Sequence, residues 1–355
     1  MLDLDFEGVT SEVLLKNSKT TKELLETPTP KRMFAVSKAL KEGMTVSEIH
    51  AITGIDEWFL FRIRHIVDTM HNLPNQLTAI PKETVWELKR IGVSDKRIGE
   101  LTHSTGLEVR EYRKKMGVIP SVFQIDTLAG EFPAKTNYLY LTYGGNHNDI
   151  SPLKDRGVIV LGSGPYRIGS SVEFDWTSVN TAMHLKDHNK QSIIINCNPE
   201  TVSTDYDVSD RLYFEELTFE RIADIYDFES PHGIIVSVGG QTPNNRAQSL
   251  HAYGAKILGT TPENINRAED RSIFSKLLDD LGIDQPKWNK FTDTEKALSF
   301  ADTVGYPVLI RPSYVLSGTL MRICHTKDDL TKFLDEAAHV SKDYPLTVSK
   351  FIEEA

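Results

Sequence analysis

Four short apolar runs after Gly157 constrain the fold of this chain most strongly. The runs are Val158–Leu161, Ile193–Ile195, Ile234–Val238 and Lys256–Leu258, and each ends in small or polar residues. Helical patterns lie between the runs, for example at Glu220–Tyr226. Strands that alternate with helices at this spacing predict βαβ units and a parallel sheet. Ligands of such sheets bind at the carboxyl ends of the strands, which is where the small and polar residues fall.

The first of these runs leads into a glycine-rich turn, GSGPYRIGSS, at Gly162–Ser171. Glycines let backbone N–H groups approach an anion, and a following helix N-terminus favours negative charge. The spacing G-x-G-x-x-x-x-G is neither the dinucleotide fingerprint G-x-G-x-x-G nor a P-loop with Gly-Lys-Ser/Thr. The turn alone therefore leaves two interpretations open, an anion site and a tight strand-to-helix connection.

The residues before Asp149–Gly157 predict a bundle of short helices joined by tight turns. Expected helix starts are Thr29-Pro30, Thr45 with Glu48, Asp56, Pro81, Ser94, and Thr105 with Glu108. Gly43, Gly54 and Gly92 fall where helices are expected to end.

The segment SDKRIGELTHSTGLEVREYRKKMG could form a DNA-binding helix-turn-helix. Four of its basic residues would then face phosphates, namely Arg110, Arg113, Lys114 and Lys115. The alternative is a packed helical pair with a solvated charged face. Interleaved acidic residues and a net charge of −10 for the whole chain favour the packed pair, because broad nucleic-acid binding needs a basic surface.

A second change of pattern follows Leu281, after a helix expected at Asn264–Leu281. Val308–Ser313 and Leu320–His325 read as the two strands of a hairpin whose small-residue tip is a flap. A helix is expected at Lys327–Val340 and a further strand at Leu346–Ile352. Arg311, on a strand beside the flap, is suited to hold triphosphate oxygens, although a surface ion pair is the commoner role of such an arginine.

Length and composition set limits on the class of protein. A chain of 355 residues, 39% hydrophobic and 25% charged, predicts two or three globular domains. No run approaches the eighteen or so apolar residues of a membrane span, and the N-terminus does not resemble a signal peptide. Two cysteines give neither a disulfide framework nor zinc-ligand spacing.

Two sets of motifs follow one another along nearly the whole chain. VLGSGPYRIGSSVEFDW, NPETVSTDYDVSDRLYFEEL, VSVGGQTPNN, RAEDRSIFS and YPVLIRPSYVLSG resemble, in this order, the second synthetase half of the carbamoyl phosphate synthetase large subunit. Nearer the N-terminus, TPKRMFAVSKALKEGM, ITGIDEWFL and QIDTLAGEFPAKTNYLYLTY resemble the helical oligomerisation domain of that family and the segment leaving it. The turn motif and Ser317 of RPSYVLSG are more similar to eukaryotic members of the family than to bacterial ones.

This resemblance implies three domains. Residues 1–150 are expected to form a helical oligomerisation and connecting domain, and 151–270 an α/β pre-ATP-grasp domain with a Rossmann-like parallel sheet. Residues 271–355 are expected to form the N-terminal part of an α+β ATP-grasp domain. The whole chain is then expected to be an internal fragment of a larger enzyme.

The resemblance also implies an ATP-dependent ligase. The family makes carbamoyl phosphate from bicarbonate, ATP and ammonia, the ammonia usually coming from a glutamine amidotransferase subunit or domain. The half represented here phosphorylates carbamate, with Mg²⁺ or Mn²⁺ beside the ATP. A homo-oligomer through the helical domain is implied, with no nucleic-acid or membrane partner, in the cytoplasm or alternatively the mitochondrion. Arginine or urea synthesis and pyrimidine synthesis stay open, as does the source of nitrogen.

The resemblance of the motifs implies site residues at five positions of this chain. Arg311 and Arg271 are implied to contact phosphate, and Gly318 belongs to the flap. Lys350 and Ile352 are implied to lie on the strand that lines the adenine pocket, where backbone groups recognise the base. A solvated surface role is the alternative for Lys350.

The family's ribose-contacting glutamate and its metal ligands are expected beyond Ala355, so no metal ligand is assigned here. The chain alone is therefore expected neither to turn over ATP nor to bind it tightly. A non-catalytic assembly module and, less favoured, the helix-turn-helix protein are the alternative functions.

Overall fold

The structure of the chain, a computed structural model, describes residues 8–10, 20–166, 172–312, 321–340 and 346–353, without the side chains of 312 and 335–340. The chain packs as two compact units. The first contains Met1–Pro152 and Arg211–Glu229, and the second contains Leu153–Asp210 and Ser230–Ala355.

The described helices and strands have the following bounds. The helices are α1 (Thr21–Glu26), α2 (Arg32–Lys41), α3 (Val46–Thr53), α4 (Glu57–His71), α5 (Lys82–Arg90), α6 (Asp95–Thr102), α7 (Gly106–Lys115), α8 (Val172–Asp187), α9 (Phe219–Glu229), α10 (Gln241–Asn244), α11 (Ala247–Tyr253), α12 (Pro262–Glu269), α13 (Arg271–Asp280), α14 (Thr294–Val304) and α15 (Lys327–Val340). The strands are β1 (Ser121–Gln124), β2 (Tyr138–Thr142), β3 (Gly157–Leu161), β4 (Gln191–Asn196), β5 (Arg211–Phe214), β6 (Gly233–Ile235), β7 (Ile257–Leu258), β8 (Trp288–Phe291), β9 (Val308–Pro312), β10 (Arg322–Cys324) and β11 (Leu346–Lys350).

Short capped helices build most of the first unit, as the sequence predicts. Thr45 and Thr105 each form a full capping box with the glutamate three residues later, and Asp56 and Ser94 cap α4 and α6. Helices this short are marginal by themselves, so packing must stabilise them. α1 to α4 share one buried core, and α4 to α7 enclose a second that includes Tyr143.

Two strands of the first unit correct the expectation that only helices precede Asp149. β1 and β2 pair antiparallel, with Val122 opposite Leu141, and β2 pairs parallel with β5. The burial of β2 alternates at Leu139, Tyr140 and Leu141, which is the pattern of a strand covered on one face. α9, predicted as a helix, follows β5 and belongs to this unit.

The second unit contains the predicted parallel sheet, with the strand order β4-β3-β6-β7. β3 and β4 are almost wholly buried, as their continuous apolar runs predict. The third run is shorter than expected, because β6 ends at Ile235.

The helix expected over Asn264–Leu281 is two helices, which is a further correction. α12 ends at Glu269 and α13 begins at Arg271. Between them Asp270 has extended backbone angles, and its side chain accepts from the N–H groups of Ser272 and Ile273. An aspartate that caps a new helix in this way ends the preceding one.

The second unit also contains an antiparallel sheet with the order β10-β9-β11-β8. β9 and β10 form the predicted hairpin, whose expected flap lies outside the described residues. α14 and α15 pack on one face of this sheet, and α15 has the predicted bounds. Among the described residues no helix is both long enough and apolar enough to cross a membrane.

Candidate functional site

The turn after β3 is held by Asn196, at the carboxyl end of β4. Asn196 is fully buried, and its Oδ1 accepts from the N–H groups of Gly164 at 3.0 Å and Cys197 at 2.9 Å. A Cβ added to Gly162 would lie 2.6 Å from Asn196 Cγ, so only glycine fits there. These contacts support the tight-connection interpretation for residues 162–164, whereas Gly169 lies outside the described residues.

The polar residues of the NPETVSTDYD motif fix a loop beside that turn. Asp175 of α8 is buried and accepts from the N–H groups of Val202 at 2.9 Å and Ser203 at 3.3 Å. Asn196 Nδ2 donates to Ser203 Oγ at 3.1 Å. In this structure the motif therefore maintains the shape of the sheet edge.

Arg311 and Arg271 provide the positive charge of the candidate site. Arg311 lies on β9 and is half-buried, and its Nε is buried without a hydrogen-bond acceptor among the described residues. Burial lowers the pKa of Arg311, and the positive charge of Arg271 lowers that pKa further. Two guanidinium groups that repel each other in a partly buried place favour an anion between them. Their planar forks match phosphate oxygens.

The start of α13 positions Arg271, and the alternation of side chains along β9 positions Arg311. Arg271 is the first residue of α13, directly after the buried cap Asp270. On β9, Val308 and Ile310 belong to the core under α14 and α15. Side chains alternate between the faces of a strand, so Arg311 lies on the face opposite that core.

Lys350, by contrast, has its side chain on the core side of the sheet. It pairs with Val308, and its ammonium donates to the carbonyl oxygens of Gly305 at 3.2 Å and Tyr306 at 2.9 Å. The Lys350 N–H already donates to Lys287 O at 2.8 Å. The solvated-surface alternative for this lysine is therefore wrong, since the ammonium binds two backbone carbonyls.

The remaining predicted positions are less informative. Ile352 follows the last paired residue of β11 and is 54% exposed. Gly318 lies outside the described residues. The N–H of Phe351 donates to Pro307 O at 3.0 Å, so a base that binds along this strand would use carbonyl oxygens or the backbone of Ile352.

Two residues that sequence reasoning missed lie in register with Arg311. Thr347 of β11 is directly opposite Arg311, and Lys290 of β8 is directly opposite Thr347. Because directly opposed residues point to the same face, all three side chains lie on the face that carries Arg311. Trp288–Phe291 reads WNKF, which has no alternation of apolar and polar residues that would predict β8, and no sequence pattern gives the pairing across strands.

The helix-turn-helix alternative is corrected by burial. Arg110 and Arg113 are almost fully buried and bind carboxylates of α9, with Arg110 contacting Asp224 and Asp227 and Arg113 contacting Asp224. Lys114 also pairs with Asp227, at 2.7 Å. These arginines neither face DNA nor form a solvated face, because acidic residues about a hundred positions away neutralise them.

The divalent metal implied by the resemblance has no ligand set in this part of the chain. Within the described ranges, no group of three His, Cys, Asp or Glu side chains is placed to hold a metal ion. The buried Asp175 and Asp224 are already bound to backbone N–H groups and to arginine. No metal-dependent step is therefore assigned to these residues.

Three family models match the chain in the order of its domains. They describe the carbamoyl-phosphate synthetase large chain oligomerisation domain (residues 1–117), the carbamoyl phosphate synthase preATP-grasp domain (154–267) and the carbamoyl-phosphate synthase L chain ATP binding domain (270–355). With the fold above, they define an ATP-grasp protein that carries a helical oligomerisation domain. More particularly, the chain belongs to the carbamoyl phosphate synthetase large-chain family.

Curated relatives from the same family align with almost the whole of this chain. The multifunctional protein CAD of Squalus acanthias is 49% identical over 94% of this chain and 15% of its own length. The mitochondrial arginine-specific carbamoyl phosphate synthase large chain of Neurospora crassa is 49% identical over 93% of this chain and 29% of its own. The mitochondrial carbamoyl-phosphate synthase [ammonia] of Rattus norvegicus is 48% identical, over 96% and 22% respectively. The chain thus spans less than a third of the length of each of these relatives.

Proposed function

We propose that these residues serve an ATP-dependent ligase in which the ATP-grasp part phosphorylates carbamate to carbamoyl phosphate. The observation that carries this proposal is that Arg311, on the sheet face opposite α14 and α15, has a buried Nε without an acceptor among the described residues, with Arg271 near enough to lower its pKa. Both arginines fall within the residues matched by the ATP binding domain of the family. Membership of the carbamoyl phosphate synthetase family supplies the substrate class.

The reaction requires the protein mainly to position the reactants and to neutralise the charge on the phosphate oxygens. A carbamate oxygen attacks the γ-phosphorus of ATP, the bond from that phosphorus to the β,γ-bridging oxygen breaks, and ADP leaves. Arg311 and Arg271 would bind phosphate oxygens and neutralise charge as it shifts toward the leaving group. Mg²⁺ or Mn²⁺ is proposed to accompany the ATP, held by groups other than the described residues.

The larger assembly follows from the same membership. We propose the domains 1–150, 151–270 and 271–355, with bicarbonate, carbamate and ATP as ligands of the enzyme. A glutamine amidotransferase subunit or domain would supply ammonia. The cytoplasm is the proposed compartment, and the mitochondrion is the alternative, since two of the relatives are named as mitochondrial.

Equilibrium titration of the full-length protein that carries this chain with labelled ATP tests the site. Arg311→Met and Arg271→Met should each weaken ATP binding about tenfold or more, because each removes a charged hydrogen-bond donor. Lys296→Met is the matched control, since Lys296 is exposed on α14, which packs on the other face of the sheet. Equal affinity in all three variants and the unchanged protein would contradict the proposal.

An assembly role for the helical unit is a second function, and a specific surface favours it. Trp58, Phe59 and Phe61 at the start of α4 are 57%, 57% and 56% exposed, although large aromatic side chains are usually buried. They lie within residues matched by the oligomerisation domain. We propose that a second copy of this chain covers them.

Light scattering at several protein concentrations tests this surface. The unchanged chain should form a dimer or larger species, and Phe59→Ser with Phe61→Ser should shift it toward monomer. Ile119→Ser, which removes a single exposed side chain elsewhere in the same unit, should not. A concentration-independent monomer of the unchanged chain would contradict self-association.

A further inference from the structure

A row of three polar side chains crosses the antiparallel sheet on the face that carries Arg311. Arg311 on β9 is opposite Thr347 on β11, which is opposite Lys290 on β8. Adjacent strands lie about 4.8 Å apart, so the Cα atoms of the two cations are separated by about 9.6 Å. Arginine and lysine side chains are long enough to bring both charges to one polyphosphate chain across that distance.

Thr347, in the middle of the row, is the unusual member. It is only 1% exposed, and its hydroxyl oxygen is buried without a hydrogen-bond partner among the described residues. Buried hydroxyl groups almost always have a partner, since an unsatisfied one destabilises the fold. The Nε of Arg311, its neighbour across the strands, is unsatisfied in the same way. Two adjacent unsatisfied groups on one face indicate a ligand with acceptor atoms.

Lys290 differs from Lys350, the other lysine of these strands. The ammonium of Lys350 binds two carbonyl oxygens on the core side. Lys290 is half-buried on the Arg311 face, and no described carboxylate pairs with it. A partly buried cation in register with a second cation favours a polyanion.

We infer that Thr347 and Lys290 extend the phosphate site of Arg311 and Arg271. The Thr347 hydroxyl donates to one phosphate oxygen, and the Lys290 ammonium binds the same polyphosphate chain. This inference rests on the proposed function, because it assumes that Arg311 contacts phosphate. It adds two phosphate-binding residues at places that none of the motifs in the sequence marks.

Titration of the full chain with inorganic tripolyphosphate, followed by NMR at millimolar concentration, tests whether Thr347 and Lys290 belong to the phosphate site of Arg311. Lys290→Met and Thr347→Val should each weaken binding about threefold to tenfold, the range of one hydrogen bond or one screened charge. Lys290→Arg should retain affinity, and Lys296→Met on the other face should not change it. Thermal unfolding without ligand should show Thr347→Val at least as stable as the unchanged chain, because the isosteric valine removes an unsatisfied hydroxyl.

Three contrary outcomes are distinguishable. If Arg311→Met loses tripolyphosphate binding while Lys290→Met and Thr347→Val bind like Lys296→Met, the extension is wrong and the Arg311 site stands. If Arg311→Met also binds like the unchanged chain, both the extension and the proposed function are overturned. A Thr347→Val variant that loses stability would assign its hydroxyl a structural role and also overturn the inference for that residue.

Discussion

Nη2 of Arg113 lies 3.0 Å from both carboxylate oxygens of Asp224, and both residues are buried. The pair joins α7 to α9, which are 111 positions apart at these residues. Burial alone would lower the pKa of Arg113, but the charges of Asp224 and Asp95 outweigh it and raise that pKa above its ordinary value. This contact and the pairing of β5 with β2 join residues 211–229 to the helical unit.

Breaking that pair should strongly destabilise the first unit. Arg113→Met leaves Asp224 and Asp95 as buried charges without one of their partners, and the expected loss in the free energy of unfolding is about 3–5 kcal/mol. Urea unfolding measures the loss. Arg64→Met, which breaks an exposed pair with Asp68, should cost less than about 0.5 kcal/mol. Equal effects of the two substitutions would mean that the buried pair contributes no more than a surface one.

Glu215 should give the same unit a pH dependence. Burial raises its pKa above the ordinary 4.5, against the opposing charge of Arg221. The folded chain therefore holds this proton to higher pH than the unfolded chain does. The contribution of Glu215 to stability should fall as pH rises from about 4.5 through the raised pKa, by at most about 1.4 kcal/mol per pH unit, and then level off.

The measurement for Glu215 is the difference in unfolding free energy between the unchanged chain and Glu215→Gln across pH. The unchanged chain should become less stable relative to Glu215→Gln as pH rises. A difference that favours the unchanged chain at higher pH would show that the pKa of Glu215 is lowered in the fold.

The cap of α13 should matter to both the fold and the site. Asp270→Ala removes hydrogen bonds to the N–H groups of Ser272 and Ile273, which should cost about 1 kcal/mol. It should also weaken ATP binding, because α13 positions Arg271. Asp293→Ala removes the equivalent cap of α14 and should cost similar stability without changing affinity. Unchanged ATP affinity in both variants would show that the position of Arg271 does not depend on this cap.

Replacement of Lys350 should affect stability without affecting the nucleotide. Lys350→Met removes a charged donor from the carbonyls of Gly305 and Tyr306, and a loss of about 2 kcal/mol is expected. ATP affinity should stay unchanged, since only backbone groups at this position are proposed to meet the base. Lys287→Met is the exposed control and should leave both unchanged. Weaker ATP binding at unchanged stability would place the ammonium in the site instead.

Local patterns in the sequence predicted the elements that depend on local chemistry. The capping boxes at Thr45 and Thr105 and the apolar runs of β3 and β4 appear where they were expected, because caps and core strands depend on neighbouring residues. Asp270 shows the limit of this reasoning. Apolar periodicity continues across it, and only the backbone turn reveals that its side chain starts a new helix.

Long-range partners could not be predicted in the same way. The basic residues Arg110 and Arg113 read as surface charges, since nothing near them indicates that carboxylates of α9 neutralise them. Likewise the motifs single out Arg311 and Arg271 as proposed phosphate ligands, whereas Thr347 and Lys290 are aligned with Arg311 only through strand register. Register depends on how the whole sheet pairs and is not encoded in any one strand.

The reverse reaction measures phosphoryl transfer at the proposed site directly. With the full-length protein that carries this chain, ADP, Mg²⁺ and carbamoyl phosphate should yield ATP, as an ADP oxygen attacks phosphorus and carbamate leaves. Arg311→Met should lower the rate about a hundredfold or more, while Lys296→Met should leave it unchanged. ATP formation at the same rate in the Arg311→Met variant, or none in the folded unchanged protein, would contradict phosphoryl transfer at the Arg311 site.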